Sequence, residues 1–403
     1  MRIAFVSEHA SPLATIGGED AGGQNIHVAA LASAMSRAGA EVRVYTRRDD
    51  RKLPGTVPFA DGVLVEHVDA GPPEFIEKDR LAPFMPAFGE ELARRWTRWA
   101  PQVVHAHFWM SGMAALAAGR KHDVPVVQTF HALGIEKLRH QGAKDTSPPH
   151  RICDEKNLAR SVSHIVATAT AEAFQLVRMG AQRSRISVIP CGVDLSLFSV
   201  DGAVERRDSR RSRLVCVGRL VERKGIDDVI RALVRLDNVE LVIAGGPDVS
   251  LLDADPEAVR LRALAESLGV ADRVIFRGRI PHAGVPALLR SADIAVCYPR
   301  YEPFGIVPLE AMACGVPVVA ASVGGLVDSV IDGVTGALVP PHSPDELAGA
   351  LQRLLLNRAR LARLGAAGVR HVRGRYGWRR IASDTTDVYA KLIAQPRTAV
   401  VAS

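Results

Sequence analysis

Short apolar runs rich in valine and isoleucine recur along this chain, and segments with a helical pattern separate them. In the first half, the runs lie at residues 3–7, 42–45, 63–68, 103–105, 126–129, 165–167 and 187–189. In the second half, they lie at residues 214–218, 241–244, 274–276, 294–296 and 318–320. Such short, almost wholly apolar runs are typical of parallel strands that are covered on both faces. The pattern therefore predicts an α/β protein with two Rossmann-like, doubly wound parallel-sheet domains.

The alternation pauses once, near the middle of the chain. It stops at Pro190–Asp194 and resumes after a charged stretch that ends at Arg213. We interpret the pause as a hinge, with an N-terminal domain at residues 1–195, a linker at 196–212 and a C-terminal domain at 213–375. Ligands of such sheets bind beyond the carboxyl ends of the strands, so we expect one cleft between the domains. Further helices are predicted at residues 344–355, 361–373 and 378–394.

Composition places the chain among ordinary globular proteins. It has 403 residues, of which 47% are hydrophobic and 24% charged. No apolar run reaches the roughly 18 to 20 residues of a membrane span, and the first residues are too short a run for a signal peptide. The five cysteines show no paired spacing, which predicts free thiols, no zinc site and a reducing compartment. We therefore expect a cytoplasmic protein without stable membrane insertion.

The net charge of +7 could suggest a nucleic-acid partner. The basic residues, however, cluster in loop-like stretches at 47–52 and 206–213, where acidic residues are mixed in and aromatic residues are missing. Solvated loops account better for this pattern, so we expect no nucleic-acid partner. A weak attraction to anionic membranes or to phosphorylated substrates stays open.

Two glutamates eight positions apart, Glu302 and Glu310, mark a candidate ligand site. The loop after Glu302 contains Gly305, and a short helix is predicted from Ile306 to residue 314. The backbone amides near Gly305 and Ile306 would bind an anion such as a diphosphate, and the carboxylates would accept hydrogen bonds from vicinal hydroxyls. The arrangement suits an anion that carries sugars on either side.

The sequence around these glutamates reads VCYPRYEPFGIVPLEAMACGVPVVA and closely resembles the retaining glycosyltransferases of family 4, which have the GT-B fold. The resemblance implies that Glu302 contacts hydroxyls of the donor sugar and that Glu310 contacts the ribose. It also implies that Arg219 and Lys224, which follow strand 214–218, hold the donor diphosphate. In this fold the last helix, here within residues 376–403, crosses back to the N-terminal domain.

The chemistry explains why cations belong at Arg219 and Lys224. A departing nucleoside diphosphate gains negative charge as the glycosidic bond breaks, so fixed cations stabilise the transition state more than the ground state. We therefore expect no metal ion and no cofactor, with a UDP-sugar as a substrate.

A glycine-rich loop follows the first strand and opens a helix. Glycines at such a turn let backbone amides approach a phosphate closely, which makes Gly22 and Gly23 candidates for donor binding. The run DAGG, with Asn25 beyond it, resembles the subgroup that contains inositol-phosphate N-acetylglucosaminyltransferase, with sucrose-phosphate synthases somewhat further away. This resemblance implies acceptor contacts from Asp20 and Asn25.

The same subgroup surrounds its acceptor phosphate with histidine, lysine, tyrosine, threonine and arginine. Here His9, Lys78 and Arg151 stand in matching sequence contexts. Two positions depart from the pattern, since Phe108 replaces the tyrosine and Ala132 replaces the threonine. Each change removes a hydroxyl donor, at a cost of roughly 1 to 3 kcal/mol in a buried site. The acceptor can therefore differ from inositol phosphate.

His131 directly follows the predicted strand 126–129, and the resemblance implies that it contacts the donor sugar. With His105 and His107 it could instead suggest a metal site. No further ligand has a matching context, so we predict no metal here.

These observations predict a retaining transfer of a hexosyl or N-acetylhexosaminyl group from a UDP-sugar to a hydroxyl of a small polyol, cyclitol or sugar. No side-chain nucleophile is evident, which favours front-face attack. The alternatives are an aminocyclitol glycosyltransferase of antibiotic biosynthesis, a sucrose-phosphate-synthase-like enzyme and, outside the class, a non-catalytic sugar-nucleotide sensor. A dehydrogenase is disfavoured because no Gly-x-Gly-x-x-Gly follows the first strand. Related enzymes are often dimers, so a homodimer stays open.

Overall fold

The structure is a computed structural model that describes residues 1–14 and 22–395. The chain forms two compact units. The first unit contains residues 1–168, 172–190 and the segment from Trp378 onward, and the second contains residues 169–171 and 191–377. The chain thus leaves the first unit, builds the second and returns.

The first unit is built on an eight-stranded sheet with the order β3-β4-β2-β1-β5-β6-β7-β8. All neighbouring strands are parallel except β3, which pairs antiparallel with β4 at one edge. The strands are β1 (Arg2–Val6), β2 (Glu41–Arg47), β3 (Thr56–Ala60), β4 (Val63–Val68), β5 (Val103–His107), β6 (Val126–Thr129), β7 (His164–Ala167) and β8 (Ile186–Val188).

The second unit is built on a six-stranded sheet with the order β11-β10-β9-β12-β13-β14, and every pair in it is parallel. Its strands are β9 (Ser212–Val217), β10 (Val239–Ala244), β11 (Val274–Gly278), β12 (Ile294–Cys297), β13 (Val318–Ala321) and β14 (Gly336–Val339). The prediction of two doubly wound parallel sheets is confirmed.

Helices connect the strands and cover the sheets. Those of the first unit are α1 (Gly23–Arg37), α2 (Met85–Trp96), α3 (Trp109–His122), α4 (Gly134–Gln141), α5 (Arg151–Ser161) and α6 (Thr170–Arg178), whose first two residues group with the second unit. The second unit has α7 (Ile226–Leu233), α8 (Pro256–Ser267), α9 (Val285–Arg290), α10 (Val307–Ala313), α11 (Leu326–Ser329), α12 (Pro344–Leu355) and α13 (Arg358–Arg375). In the described part of the chain, no helix is long and apolar enough to cross a membrane.

The last helix, α14 (Trp378–Ala394), belongs to the first unit and packs against α1. The Trp378 ring meets the His27 ring of α1 edge-on, with 5.4 Å between centroids. The Tyr389 hydroxyl lies 2.5 Å from Nδ1 of His105 on β5. Both contacts are buried, so α14 completes the core of a sheet whose strands lie more than 180 residues earlier in the chain.

A buried ion pair joins two strands of the second sheet. Arg213 on β9 and Glu240 on β10 are cross-strand neighbours, and Nε of the arginine donates to the carboxylate at 2.6 Å. Both side chains are 6% exposed. Arg213 also donates to the Ser291 hydroxyl at 3.1 Å, so the buried charge is paired and hydrogen-bonded.

The carboxyl ends of neighbouring strands determine where functional side chains can gather. In the first unit, β1, β5 and β6 are adjacent, and the segments that follow them carry His9, Phe108 and His131. In the second unit, β9, β12 and β13 are adjacent, and the segments after β9 and β12 carry Lys224 and Glu302. Each unit therefore brings predicted site residues to one edge of its sheet.

Candidate functional site

Phe108 is the centre of a cluster in the first unit. It occupies the turn between β5 and α3 with φ of +81°, a conformation uncommon for a residue with a side chain. The Lys78 ammonium lies 5.7 Å from the centre of its ring and the Arg151 guanidinium 5.0 Å. The His9 ring meets it edge-on at 4.9 Å. The structure thus brings together four of the residues predicted to contact the acceptor.

Arg151 is less free to bind an anion than its sequence context suggests. It begins α5, is 2% exposed, and donates from Nε to Glu155 at 2.8 Å. Its other nitrogens donate to the Ser147 hydroxyl at 3.1 Å and to the Ala132 carbonyl at 2.7 Å. Burial raises the pKa of Glu155 despite the arginine beside it. Arg151 is therefore a fixed cation whose charge is already partly compensated.

Glu8 is a buried carboxylate that the sequence analysis did not single out. One of its oxygens lies 2.6 Å from Nδ1 of His9, and the other accepts a hydrogen bond from the Ser111 hydroxyl. The Glu8 backbone amide also donates to that hydroxyl at 2.9 Å. These bonds fix the His9 ring and leave Nε2 as the ring nitrogen that can meet a ligand.

Three imidazoles form a stack beside this cluster. The ring centroids of His105 and His107 are 4.2 Å apart, and those of His107 and His131 are 5.2 Å apart. His107 Nδ1 and His131 Nε2 are 3.0 Å apart, which is a hydrogen bond with one shared proton. Burial holds the pKa of all three well below its ordinary value. His131 lies two residues after the end of β6, with a φ of +61°.

The imidazoles of this stack contact one another and neighbouring hydroxyl groups. Across residues 1–14 and 22–395, no group of three or more histidine, cysteine or acidic side chains is arranged to hold a metal ion. His105 instead engages the Thr129 hydroxyl at 2.8 Å, in addition to Tyr389.

The described part of the glycine loop is held by Asn25. Its side-chain oxygen accepts from the Gly22 amide at 3.0 Å, and its nitrogen donates to the Ser11 carbonyl at 3.0 Å. Gly23 is the first residue of α1. Asn25, which is predicted to contact the acceptor, thus fixes the loop through these two hydrogen bonds. Asp20, the other predicted acceptor contact of this loop, lies outside the described residues.

A Cβ at Gly22 would meet no described atom within 4 Å, and φ at this residue is −142°. Packing of the described residues therefore does not require a glycine here. The close approach of a ligand to the backbone is a physical reason for one.

Lys224 and Glu302 form the centre of a second cluster, in the second unit. Nζ of Lys224 lies 2.5 Å from Oε2 of Glu302, and the Arg223 guanidinium lies 3.7 Å from the same oxygen. Burial raises the pKa of Glu302, but the two cations outweigh this effect and hold the pKa below its ordinary value. Lys224 ends a short turn after β9, and Gly218, with φ of +154°, begins the same connection. The predicted diphosphate ligand Arg219 lies between them in sequence.

Glycines hold the Glu302 loop against the end of β13. The Gly325 amide donates to the Glu302 carbonyl at 3.1 Å. A Cβ at Gly324, whose φ is +48°, would lie 2.0 Å from that carbonyl oxygen. A Cβ at Gly305, whose φ is +81°, would lie 2.6 Å from a methyl group of Leu326. The backbone from Glu302 to Gly305 is therefore fixed by close packing that larger residues would break.

Glu310 lies on α10, which begins one residue after Ile306, and it is 6% exposed. Its Oε1 lies 3.2 Å from Nε2 of His282. The hydrogen bond to Glu310 raises the pKa of His282 above its ordinary value, although burial lowers it. Sequence reasoning missed His282, because nothing in its local sequence marks a partner 28 residues away.

Comparison with known proteins gives matches over the whole chain. Residues 21–197 match the family model described as Glycosyltransferase Family 4, and residues 201–371 match Glycosyl transferases group 1. A D-inositol 3-phosphate glycosyltransferase of Xylanimonas cellulosilytica is 39% identical over 97% of this chain and 96% of its own. D-inositol 3-phosphate glycosyltransferase 1 of Catenulispora acidiphila is 37% identical over 99% of this chain and 96% of its own.

Solved structures agree with these matches. Sucrose-phosphate synthase from Thermosynechococcus elongatus superposes with a TM-score of 0.88 and is 31% identical, covering 98% of this chain and 99% of that one. The HepE protein of Anabaena, solved with UDP and glucose, has a TM-score of 0.73 at 22% identity, over 97% of this chain and 100% of its own, which shows the shared fold. The chain therefore belongs to the glycosyltransferases of the GT-B fold that join a family 4 domain to a group 1 domain.

Proposed function

We propose that this enzyme transfers a hexosyl or N-acetylhexosaminyl group from a UDP-sugar to a hydroxyl of a small phosphorylated polyol or cyclitol, with retention at the anomeric carbon. The observation that carries the acceptor class is the convergence of Lys78, Arg151 and His9 on the Phe108 ring. Two cations and an imidazole around one ring suit an anionic substituent. The relatives named D-inositol 3-phosphate glycosyltransferases support the same class.

The donor is assigned to the second unit, within residues 213–375. Arg219 and Lys224 are proposed to hold the diphosphate, Glu302 the sugar hydroxyls and Glu310 the ribose, with the backbone of Gly305 and Ile306 at the phosphates. The Lys224–Glu302 contact supports this, because an ammonium that can bind a phosphate lies beside a carboxylate that can bind sugar hydroxyls. In the donor, the sugar is joined directly to a phosphate. The first unit, within residues 1–195, is proposed to bind the acceptor.

The proposed reaction needs no side-chain nucleophile. The acceptor hydroxyl attacks the anomeric carbon on the face that the diphosphate leaves, and the leaving phosphate takes its proton. Arg219 and Lys224 stabilise the charge that builds up on that phosphate, which is the task a divalent ion performs elsewhere. We accordingly propose that the enzyme needs neither metal nor cofactor. The free thiols of all five cysteines support a cytoplasmic location.

A second acceptor class is an unphosphorylated aminocyclitol. Two observations favour it: Phe108 and Ala132 lack hydroxyl groups, and Glu155 partly compensates the Arg151 charge. A site with one compensated cation and without the two hydroxyl donors binds a phosphate less tightly than a site that has both hydroxyls and two uncompensated cations.

The test is UDP release by the purified protein from UDP-N-acetylglucosamine and UDP-glucose. The acceptor panel contains D-inositol 3-phosphate, glucose 6-phosphate, fructose 6-phosphate and 2-deoxystreptamine, and Glu302→Ala and Lys224→Ala serve as controls. Turnover with one phosphorylated acceptor, lost in both variants, would support the proposal. Turnover with the aminocyclitol alone would overturn the phosphate assignment, and a protein that neither binds nor releases UDP would overturn the donor assignment.

A further inference from the structure

His282 contacts the carboxylate that is proposed to bind the ribose. It begins a short 3-10 turn, His282–Gly284, which follows β11. Its Nε2 lies 3.2 Å from Oε1 of Glu310, and the Glu310 side chain is 8% exposed. Within residues 1–14 and 22–395, no donor is hydrogen-bonded to the other carboxylate oxygen, Oε2. The histidine thus engages one oxygen of an almost buried carboxylate.

The His282 ring is itself held on a second side. Phe198, which is 1% exposed, meets it edge-on with 5.2 Å between ring centroids. The carboxylates that face the imidazole are those of Glu310 and of Asp194, and the latter is four residues before the phenylalanine. Asp194 is occupied by its own loop, because it accepts hydrogen bonds from the Ser196 amide and hydroxyl. The imidazole is therefore fixed by packing and directed at Glu310 by charge.

We infer that His282 is a positioning residue for nucleotide recognition: it holds Oε1 of Glu310 so that Oε2 meets the ribose hydroxyls of the donor. The inference rests on the proposed function, because it deepens the ribose role given to Glu310. The last torsion of a glutamate side chain is broad and soft, so an unrestrained carboxylate loses rotational freedom when it binds a diol. With one oxygen already held, that loss is smaller and the second oxygen has a defined direction.

Three variants separate positioning from mere packing. His282→Leu removes the hydrogen bond and the charge. His282→Gln keeps an amide nitrogen near the position of Nε2 but cannot carry a charge. His371→Leu is the matched control, because this half-buried histidine of α13 packs against Tyr376 and not against Glu310. Melting temperatures establish that each variant is folded.

The measurement is calorimetric binding of two ligands, UDP and 2′,3′-dideoxy-UDP, to the full-length protein. We expect His282→Leu to weaken UDP binding about tenfold, and the Gln and control variants by less than about threefold. For the dideoxy ligand we expect wild type and the Leu variant to bind equally, since the hydroxyls that Glu310 would meet are gone. As pH rises from about 6 to about 9, the ratio of UDP affinities between wild type and the Leu variant should shrink. The ratio of UDP affinities between the Gln variant and the Leu variant should stay constant.

The outcomes are distinct. A tenfold loss that is the same for both ligands would overturn the inference, since His282 would then act on something other than ribose recognition. Unchanged UDP binding in the Leu variant would overturn it as well. Failure of wild type itself to bind UDP would instead refute the proposed donor, which keeps the two failures distinguishable.

Discussion

Replacing Glu302 with glutamine should tighten UDP binding while it slows sugar transfer. Lys224 Nζ lies 2.5 Å from the Glu302 carboxylate, and the two side chains are 22% and 14% exposed. A diphosphate that binds the same ammonium must lie beside that carboxylate. Two anions bonded to one ammonium are about 4 to 5 Å apart, and their repulsion is roughly 1 kcal/mol in water and about 4 kcal/mol at an effective dielectric constant of 20.

Solvent reaches both side chains, so the lower figure sets a minimum, and loss of the Glu302 charge should tighten UDP binding by at least about fivefold. Sugar transfer should fall by about 10- to 100-fold, because the ionised carboxylate no longer accepts a hydrogen bond from the donor sugar. The assays are calorimetric binding of UDP and steady-state UDP release from the UDP-sugar.

Lys224→Met is the matched control, since it removes the cation instead of the anion and should weaken both UDP binding and turnover. Weaker UDP binding in Glu302→Gln would refute the reasoning. In that case Lys224 would not be the group that receives the diphosphate.

Four further perturbations test other parts of the structure. Arg213→Met should destabilise the second unit by about 3 to 5 kcal/mol in urea unfolding, because it leaves the Glu240 charge buried alone, whereas the double change Arg213→Met with Glu240→Leu should cost far less. Burial lowers the pKa of His27 from 6.5 to about 4, so the unfolded chain binds the proton first and stability falls as pH drops from 6.5 to 4. His27→Gln should reduce that slope by about 1.4 kcal/mol per pH unit, and an unchanged slope would contradict the burial argument. Gly22→Ala should leave the melting temperature within about 2 °C of wild type and lower kcat/KM, since the described surroundings leave space for the methyl group; a large drop in melting temperature would show that the loop itself needs the glycine. Glu8→Gln should raise the acceptor KM several-fold, by about 1 kcal/mol, with UDP affinity unchanged, and a loss of UDP affinity would argue against it.

The sheets could be predicted from the sequence because most of their strands contain short runs of valine, isoleucine and alanine that are buried on both faces. The runs at residues 63–68 and 126–129 match β4 and β6 in the structure. The edge strand β3, TVPFA, was missed because Pro58 and its half-exposed neighbours do not read as a buried parallel strand. The strand β14, GALV, was missed because four residues that begin with glycine carry little signal.

The candidate site could be predicted where a local motif encodes it and not where distant elements meet. Glu302 and Lys224 each stand in a recognisable motif, so their positions were readable even though their 2.5 Å contact was not. The bond between Glu8 and Ser111 spans 103 residues, and no local pattern marks either partner. Glu155, which partly compensates the charge of Arg151, is only four residues away in the sequence. The pairing depends on the burial of both side chains, which the sequence does not state.

The return of the chain to the first unit has a consequence for synthesis on the ribosome. Domains usually fold as they emerge, the N-terminal one first. Here the second unit, residues 191–377, is complete before the ribosome has released α14, which carries the Trp378 and Tyr389 side chains that the first unit buries. The unit that begins the chain is therefore the last to be finished, and a nascent chain stalled before residue 378 should hold a folded second unit beside a first unit whose His27 and His105 lack their aromatic neighbours from α14.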